Sequence, residues 1–268
     1  VRLTRDPGKG TITGETENTT ALTLDLSQMK GQMVTLEIDG SRLEIPLPGN
    51  GGTLTLLRKG TTQQGIPTPP GRDAGWEQGT PPGAEQKGLH RNGTFKEPFN
   101  HRMVFVYGTS GTREENAWAE AKARFDAETW YYRGNGSVDI VADRDFKPAD
   151  YSDRGIILFG NAVTNSAWAP LLGSCPIQVT RGSLTMGGKT YSGDHLGAYL
   201  MYPRPGSDTL TVGAITGTGL PGMRAAYANQ YFTGGSGFPD FMIFTTGMVR
   251  DGVSGILEAG FFDNHWKL

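Results

Sequence analysis

Met103-Val-Phe-Val-Tyr-Gly-Thr-Ser-Gly-Thr-Arg-Glu-Glu-Asn-Ala-Trp-Ala decides the fold of this chain. Five consecutive apolar residues from Met103 read as a strand covered on both faces. Gly108 to Thr112 make a flexible, hydroxyl-bearing turn. Thr112 is the expected N-cap of a long helix, with Glu115 three residues on completing a capping box. The helix is expected to run to about Tyr132, with Arg133 complementing its dipole and Gly134 or Gly136 supplying a left-handed C-cap. Trp118, Phe125 and Tyr132 recur every seven residues, with Ala117 and Ala121 on the same face, and this stripe is read as the core-facing side. A strand feeding a helix through a glycine turn is where open α/β sheets place ligands.

Alternating elements continue beyond this segment. Val138-Asp-Ile-Val-Ala-Asp and Gly155-Ile-Ile-Leu-Phe-Gly read as strands, with Pro148-Ala-Asp-Tyr as a helical turn between them. Asn165 is placed to cap a short helix over 166–172. This order favours βαβ units and a mainly parallel sheet. Short strands return at Ile177-Gln-Val, Ala198-Tyr-Leu-Met-Tyr, 209–215, 241–245 and 256–262, extending the sheet in a partly antiparallel way. Residues 1–60 are β-rich, and several short strands there fit a small β-sandwich or barrel-like module. In them Val34-Thr-Leu-Glu-Ile alternates, and Asp39-Gly40 signals a hairpin into Leu43-Glu-Ile-Pro-Leu. Residues 61–100 are Pro/Gly-rich and read as a linker or extended loop, with Trp76 as its one residue suited to stacking on a ligand. The expected division is therefore 1–60, 61–100 and 101–268.

Composition narrows the function classes. The 268 residues carry a net charge of −2, which gives no basic footprint for nucleic acid. No apolar run reaches the length of a membrane span. Val1-Arg-Leu-Thr-Arg does not open a signal peptide, and the chain reads as starting within a longer protein. One cysteine, Cys175, excludes an internal disulfide and a cysteine-based metal site. Asp139, Asp143, Asp145 and Asp150 lack the order of a calcium loop, so no metal and no cofactor is expected.

Two kinds of chemistry are open at the Gly108–Thr112 turn. Ser110 sits between strand and helix like a nucleophile, although neither it nor any other serine completes Gly-x-Ser-x-Gly. On paper Asp194 or Asp263 with His195 or His265 completes a triad, and Ser110, His195 and Asp194 form the catalytic candidate set. Alternatively, the N–H groups and hydroxyls of Gly108, Thr109, Ser110, Gly111 and Thr112 bind an anion or small molecule, although Glu114 and Glu115 behind them repel an anion. Gly160-Asn-Ala-Val-Thr-Asn follows the second buried strand, so Asn161 and Asn165 are expected to form the facing wall of one crevice.

Several motifs together resemble a known family. They are Lys87-Gly-Leu-His-Arg-Asn-Gly-Thr-Phe-Lys-Glu-Pro-Phe, Phe105-Val-Tyr-Gly-Thr, Arg133-Gly, Ile157-Leu-Phe-Gly-Asn, Asn165-Ser, Tyr202-Pro and Ala259-Gly-Phe-Phe-Asp. The chain is similar to the C-terminal region of large bacterial prolyl-oligopeptidase-like serine hydrolases and esterases, the part that follows their α/β-hydrolase domain. The resemblance spans most of residues 10–264. It implies an α/β fold with an N-terminal all-β part: a small β-sandwich-like module, then a Rossmann-like three-layer α/β domain with a mixed sheet. It also implies a secreted or periplasmic protein whose nucleophile lies in the α/β-hydrolase domain, making this segment a non-catalytic accessory or substrate-access module with that domain as its partner. Thr216-Gly-Thr-Gly-Leu departs from the Asn-Ser-Gly-His type of turn seen in relatives. A stand-alone ester hydrolase built on Ser110 and a small-molecule or glycan binding domain are the alternatives.

Overall fold

In the computed structural model, residues 1–47, 52–59, 75–227 and 230–268 are described, and they form two compact units, Val1–Gly83 and Ala84–Leu268. The linker sequence 61–74 lies outside the described residues. No helix among those described is long and apolar enough to cross a membrane.

Among the described residues the first unit has seven strands: β1 (Arg2–Asp6), β2 (Thr11–Glu15), β3 (Ala21–Asp25), β4 (Met33–Ile38), β5 (Ser41–Pro46), β6 (Thr53–Arg58) and β7 (Trp76–Gly79). One sheet has the order β1-β2-β4-β5 and the other β3-β6-β7. Alternation in β4 buries Val34, Leu36 and Ile38, which join Leu24, Leu54 and Leu56 from the second sheet in a single apolar cluster. Asp39 and Gly40 take φ of 52° and 78°, so the β4–β5 hairpin has positive φ at both turn residues, the primed geometry that suits strand twist.

The same Asp39 joins parts of the chain far apart in sequence. Its carboxylate accepts hydrogen bonds from Thr16 N (2.6 Å), Thr16 Oγ1 (2.7 Å), Arg58 Nη2 (2.5 Å) and Trp76 Nε1 (3.0 Å). Trp76 is therefore no surface stacking residue. It is 1% exposed at the start of β7, with the Arg58 guanidinium 4.7 Å from its ring centroid.

Among the described residues, the second unit has ten further strands and four α-helices. The strands are β8 (Met103–Tyr107), β9 (Asp139–Ala142), β10 (Gly155–Phe159), β11 (Ile177–Thr180), β12 (Ser183–Met186), β13 (Lys189–Ser192), β14 (Leu196–Pro203), β15 (Thr211–Gly217), β16 (Phe241–Thr245) and β17 (Ile256–Gly260). The helices are α1 (Arg113–Gly134), α2 (Trp168–Leu172), α3 (Leu220–Ala225) and α4 (Met248–Asp251). A seven-stranded mixed sheet runs β17-β16-β14-β15-β10-β8-β9. Strands β9, β8, β10 and β15 are parallel, and β14, β16 and β17 continue the sheet antiparallel. Strands β11, β12 and β13 form a separate small sheet. Every residue of β10 is buried, and each large apolar side chain there contributes roughly 1.5–3 kcal/mol by leaving water.

The capping box of α1 forms as the sequence requires, through Thr112 and Glu115. Its C-terminus differs: Asn135, not Gly134 or Gly136, takes the left-handed conformation. A Cβ on Gly136 would lie 2.3 Å from Trp130 Nε1, so that glycine makes room for the indole instead. The core-facing side is also not the aromatic stripe. The buried residues of α1 are Glu115, Ala119, Lys122, Ala123 and Asp126, whereas Trp118 and Phe125 are partly buried and Tyr132 is 76% exposed. Ala119 and Ala123 let the helix close onto β8, β9 and β10. Lys122 and Asp126 become tolerable inside because they pair at 2.6 Å and share the Tyr231 hydroxyl, 2.8 Å from Lys122 Nζ and 2.5 Å from Asp126 Oδ2. Burial pushes the Asp126 carboxyl up and the Lys122 ammonium down, against the attraction of the pair.

Two predictions follow from these buried charges. Asp39→Asn keeps a residue that tolerates positive φ but leaves Arg58 without its counter-charge, and is expected to cost about 3–5 kcal/mol in urea unfolding. Burial of Asp39 opposes ionisation, but Thr16, Trp76 and Arg58 outweigh it and hold its pKa below the ordinary aspartate value. The stabilisation is thus complete above the unfolded aspartate pKa and is lost as pH falls through the lower folded one, so the deficit of the variant should shrink in acid. Asp126→Leu alone is expected to lose about 3–5 kcal/mol, and Lys122→Met/Asp126→Leu to recover most of it, which a double-mutant cycle measures.

Candidate functional site

The chain leaves β8 through α1 to β9 on one side, then passes to β10 on the other side of β8. The carboxyl ends of β8 and β10 are therefore neighbours at a point where strand order reverses, the position at which open sheets bind ligands. The turn over 108–112 and the loop over 160–165 meet there, as the sequence requires. They meet in contact rather than across a crevice. Gly108 N donates to Phe159 O (2.9 Å) and Ser110 N to Thr164 O (3.1 Å), and a Cβ on Gly108 would stand 2.3 Å from Thr164 O.

Asn161 and Asn165 are 0% and 1% exposed and are engaged within the chain. Asn165 Nδ2 donates to Val106 O (2.9 Å) and Phe159 O (3.0 Å), closing the ends of β8 and β10 together. Its Oδ1 accepts from Ala167 N, one residue before α2, so it forms a local turn rather than the expected helix cap. Asn161 Nδ2 donates to Gly217 O at the end of β15 (2.9 Å), and its Oδ1 accepts from Val163 N and Thr164 N. Both amides supply donors to strand-end carbonyls that have left water.

The hydroxyl and N–H groups of the turn are similarly committed. Thr109 Oγ1 donates to Asp143 Oδ1 (2.6 Å), and Asp143 Oδ2 accepts from Ser166 N (2.6 Å), so one carboxylate ties the loops after β8, β9 and β10. Gly111 N donates to Asn116 Oδ1 (2.8 Å) and Thr112 N to Glu115 Oε2 (2.8 Å). Arg181 Nη2 also donates to Glu115 Oε2 (2.6 Å), and this bond, with the Thr112 contacts, holds the Glu115 carboxyl below its ordinary pKa despite burial. An incoming anion would face these two carboxylate-occupied and amide-occupied donors and the negative charge of Glu115 itself.

Ser110 is exposed and hydrogen-bonded to no histidine among the described residues. Asp194 and His195 precede β14, also exposed and on the same sheet edge. Strands β8 and β14 are separated by β10 and β15, a lateral offset of about 14 Å at the usual strand spacing. His265 is exposed in a turn where Asp263 Oδ1 accepts from the His265 and Lys267 N–H groups rather than from an imidazole. The geometry assembles none of the paper triads. The acidic loop residues also diverge: Asp139 pairs with Arg154 and Asp145 with Arg144. Among the described residues no group of three His, Cys, Asp or Glu lies together as a metal site. Burial raises the Cys175 thiol to about 12, well away from a reactive thiolate.

The motif from Lys87 has a structural part that its polar residues did not announce. Lys87 Nζ donates to Asp240 Oδ2 (2.5 Å) and Phe262 O (2.7 Å), while Thr94 N and Phe262 N donate to the same buried Asp240. Arg91 donates to the carbonyls of Ser207, Ala84 and Glu85. Phe95 and Phe99 enter an aromatic cluster with Tyr199 and Tyr231, so this stretch belongs to the second unit rather than to a linker. Leu89 and Asn92 are exposed, as in a loop, whereas His90 is half-buried with its Nε2 2.9 Å from Ala84 O.

Asn165→Ala is expected to destabilise the second unit by about 2–4 kcal/mol, because the Val106 and Phe159 carbonyls lose a buried donor. Hydrogen exchange at the ends of β8 and β10 should accelerate in parallel. Retained stability and protection would show that these carbonyls find another donor.

No protein-family model matches this chain, and no curated protein matches it.

Proposed function

We propose that this chain is a non-catalytic accessory module of a prolyl-oligopeptidase-like serine hydrolase, secreted or periplasmic, partnered by an α/β-hydrolase domain. The observation that carries the reading is how the amides and carboxylates at the sheet edge are engaged. Where an open α/β sheet would hold its reacting groups, Asn161, Asn165, Asp143 and Glu115 are spent on the chain's own backbone and loops. Ser110 meanwhile is hydrogen-bonded to no histidine among the described residues. The finer architecture belongs to the same proposal. Two sheets enclosing one apolar cluster support a β-sandwich-like first module, and α1 packed on β8, β9 and β10 supports a Rossmann-like, three-layer second domain.

Short-chain p-nitrophenyl esters test this directly. The wild-type chain and Ser110→Ala are expected to give the same background hydrolysis, and the chain is expected to co-elute with a prolyl-oligopeptidase-like hydrolase domain mixed with it. Turnover abolished by Ser110→Ala would overturn the accessory role and establish an ester hydrolase.

A further inference from the structure

Helix α1 brings an amine and a carboxyl together in a setting that suits neither as a charge. Lys122 and Asp126 lie one helical turn apart, their side chains 1% and 0% exposed, with Lys122 Nζ 2.6 Å from Asp126 Oδ1. The ring centroids of Phe125, Tyr227 and Tyr231 stand 5.5, 5.7 and 5.3 Å from Nζ. Burial lowers the Lys122 ammonium and raises the Asp126 carboxyl, each against the attraction of the other. Both shifts move the pair toward amine plus carboxylic acid. In water, joining such groups as an amide is opposed by their ionisation and solvation, and a site that withholds water weakens that opposition.

Tyr231 supplies a proton path between the two groups. Its hydroxyl accepts from Lys122 Nζ at 2.8 Å and donates to Asp126 Oδ2 at 2.5 Å, so it touches the amine and the carboxyl oxygen that Nζ does not. Burial and the neighbouring Asp126 push this phenol up, so it holds its proton. Nζ has one further polar neighbour, Tyr227 O at 3.4 Å. An amine nitrogen hydrogen-bonded to one carboxyl oxygen lies roughly 3–3.5 Å from the carboxyl carbon, the separation of a near-attack arrangement. Lys87 and Asp240 form a comparable pair without this relay. There Nζ also donates to Phe262 O, Asp240 accepts from the Thr94 and Phe262 N–H groups, and no hydroxyl bridges the two among the described residues.

We propose that Lys122 and Asp126 condense into an intramolecular amide, with Tyr231 as the proton relay. From the neutral pair, the Nζ lone pair attacks Asp126 Cγ and forms the C–N bond. One Nζ proton passes to the Tyr231 oxygen as the phenol proton passes to Oδ2, which already carries the acid proton. The Cγ–Oδ2 bond breaks and one water leaves, with Tyr231 restored and no oxidant, reductant or co-reactant consumed. The product replaces two buried charges with one neutral amide and staples a turn of α1 on its inward side. This modification site does not depend on the accessory-module reading.

Intact mass of the full folded chain held at neutral pH tests the bond, with peptide mapping by a lysine-specific protease after denaturation. The wild-type chain is expected to weigh one water less than its sequence. Cleavage is expected after Lys87 but not after Lys122, with fragment ions placing the missing water between Lys122 and Asp126. Lys122→Met/Asp126→Leu should return to the full sequence mass. Tyr231→Phe keeps the ring and is expected to condense at least about a hundredfold more slowly. The wild-type mass decides the bond whether or not a variant folds. A wild-type chain at full sequence mass, a missing water that maps elsewhere, or one that persists in Lys122→Met/Asp126→Leu would overturn the proposal. Condensation of Tyr231→Phe at the wild-type rate would overturn the relay.

Discussion

The second unit depends on how its strand-end carbonyls are satisfied. Strands β8, β10 and β15 are apolar and buried, so where their ladders end, polar backbone groups remain out of water. Asn165 spans β8 and β10, and Asn161 reaches β15. Two side-chain amides thereby finish three strands and draw the loops after them into contact. This constraint shapes function as much as stability. An edge that spends these amides and carboxylates on its own backbone and loops leaves those groups engaged within the chain.

The placement of α1 follows from a second constraint, closeness. A helix can approach a sheet only over small side chains, and Ala119 and Ala123 supply them. Turning that side inward also buries Lys122 and Asp126, whose four-residue spacing lets them neutralise each other, with Tyr231 completing the hydrogen bonds. The larger rings are displaced outward as a result. A stripe that looks like a core face in the sequence is half-buried at Trp118 and Phe125 and exposed at Tyr132.

In the first unit, Asp39 combines two tasks. As a turn residue it accepts positive φ, and as a buried carboxylate it gathers Thr16, Arg58 and Trp76. Pairing with Arg58 offsets the desolvation that an isolated carboxylate would incur, and it fixes which parts of the two sheets lie opposite each other.

Local pattern determined much of this molecule. Continuous apolar runs at 103–107 and 155–159, the Thr112–Glu115 capping box and the Asp39-Gly40 turn are all written in short stretches, because each rests on backbone geometry or burial within a few residues. The β12–β13 hairpin is absent from the expected strands, although Gly187-Gly188 between short segments is a turn signal for it. Tertiary structure alone decided which face of α1 is buried, because heptad spacing marks a stripe without saying whether it meets the sheet. It also decided that Trp76 is core, since its partner Asp39 lies 37 residues away. The fate of Ser110, Asn161 and Asn165 was decided in the same way. Their residue types suit ligand chemistry, but whether an amide meets a ligand or a strand-end carbonyl depends on which chain segments the sheet brings within hydrogen-bond reach.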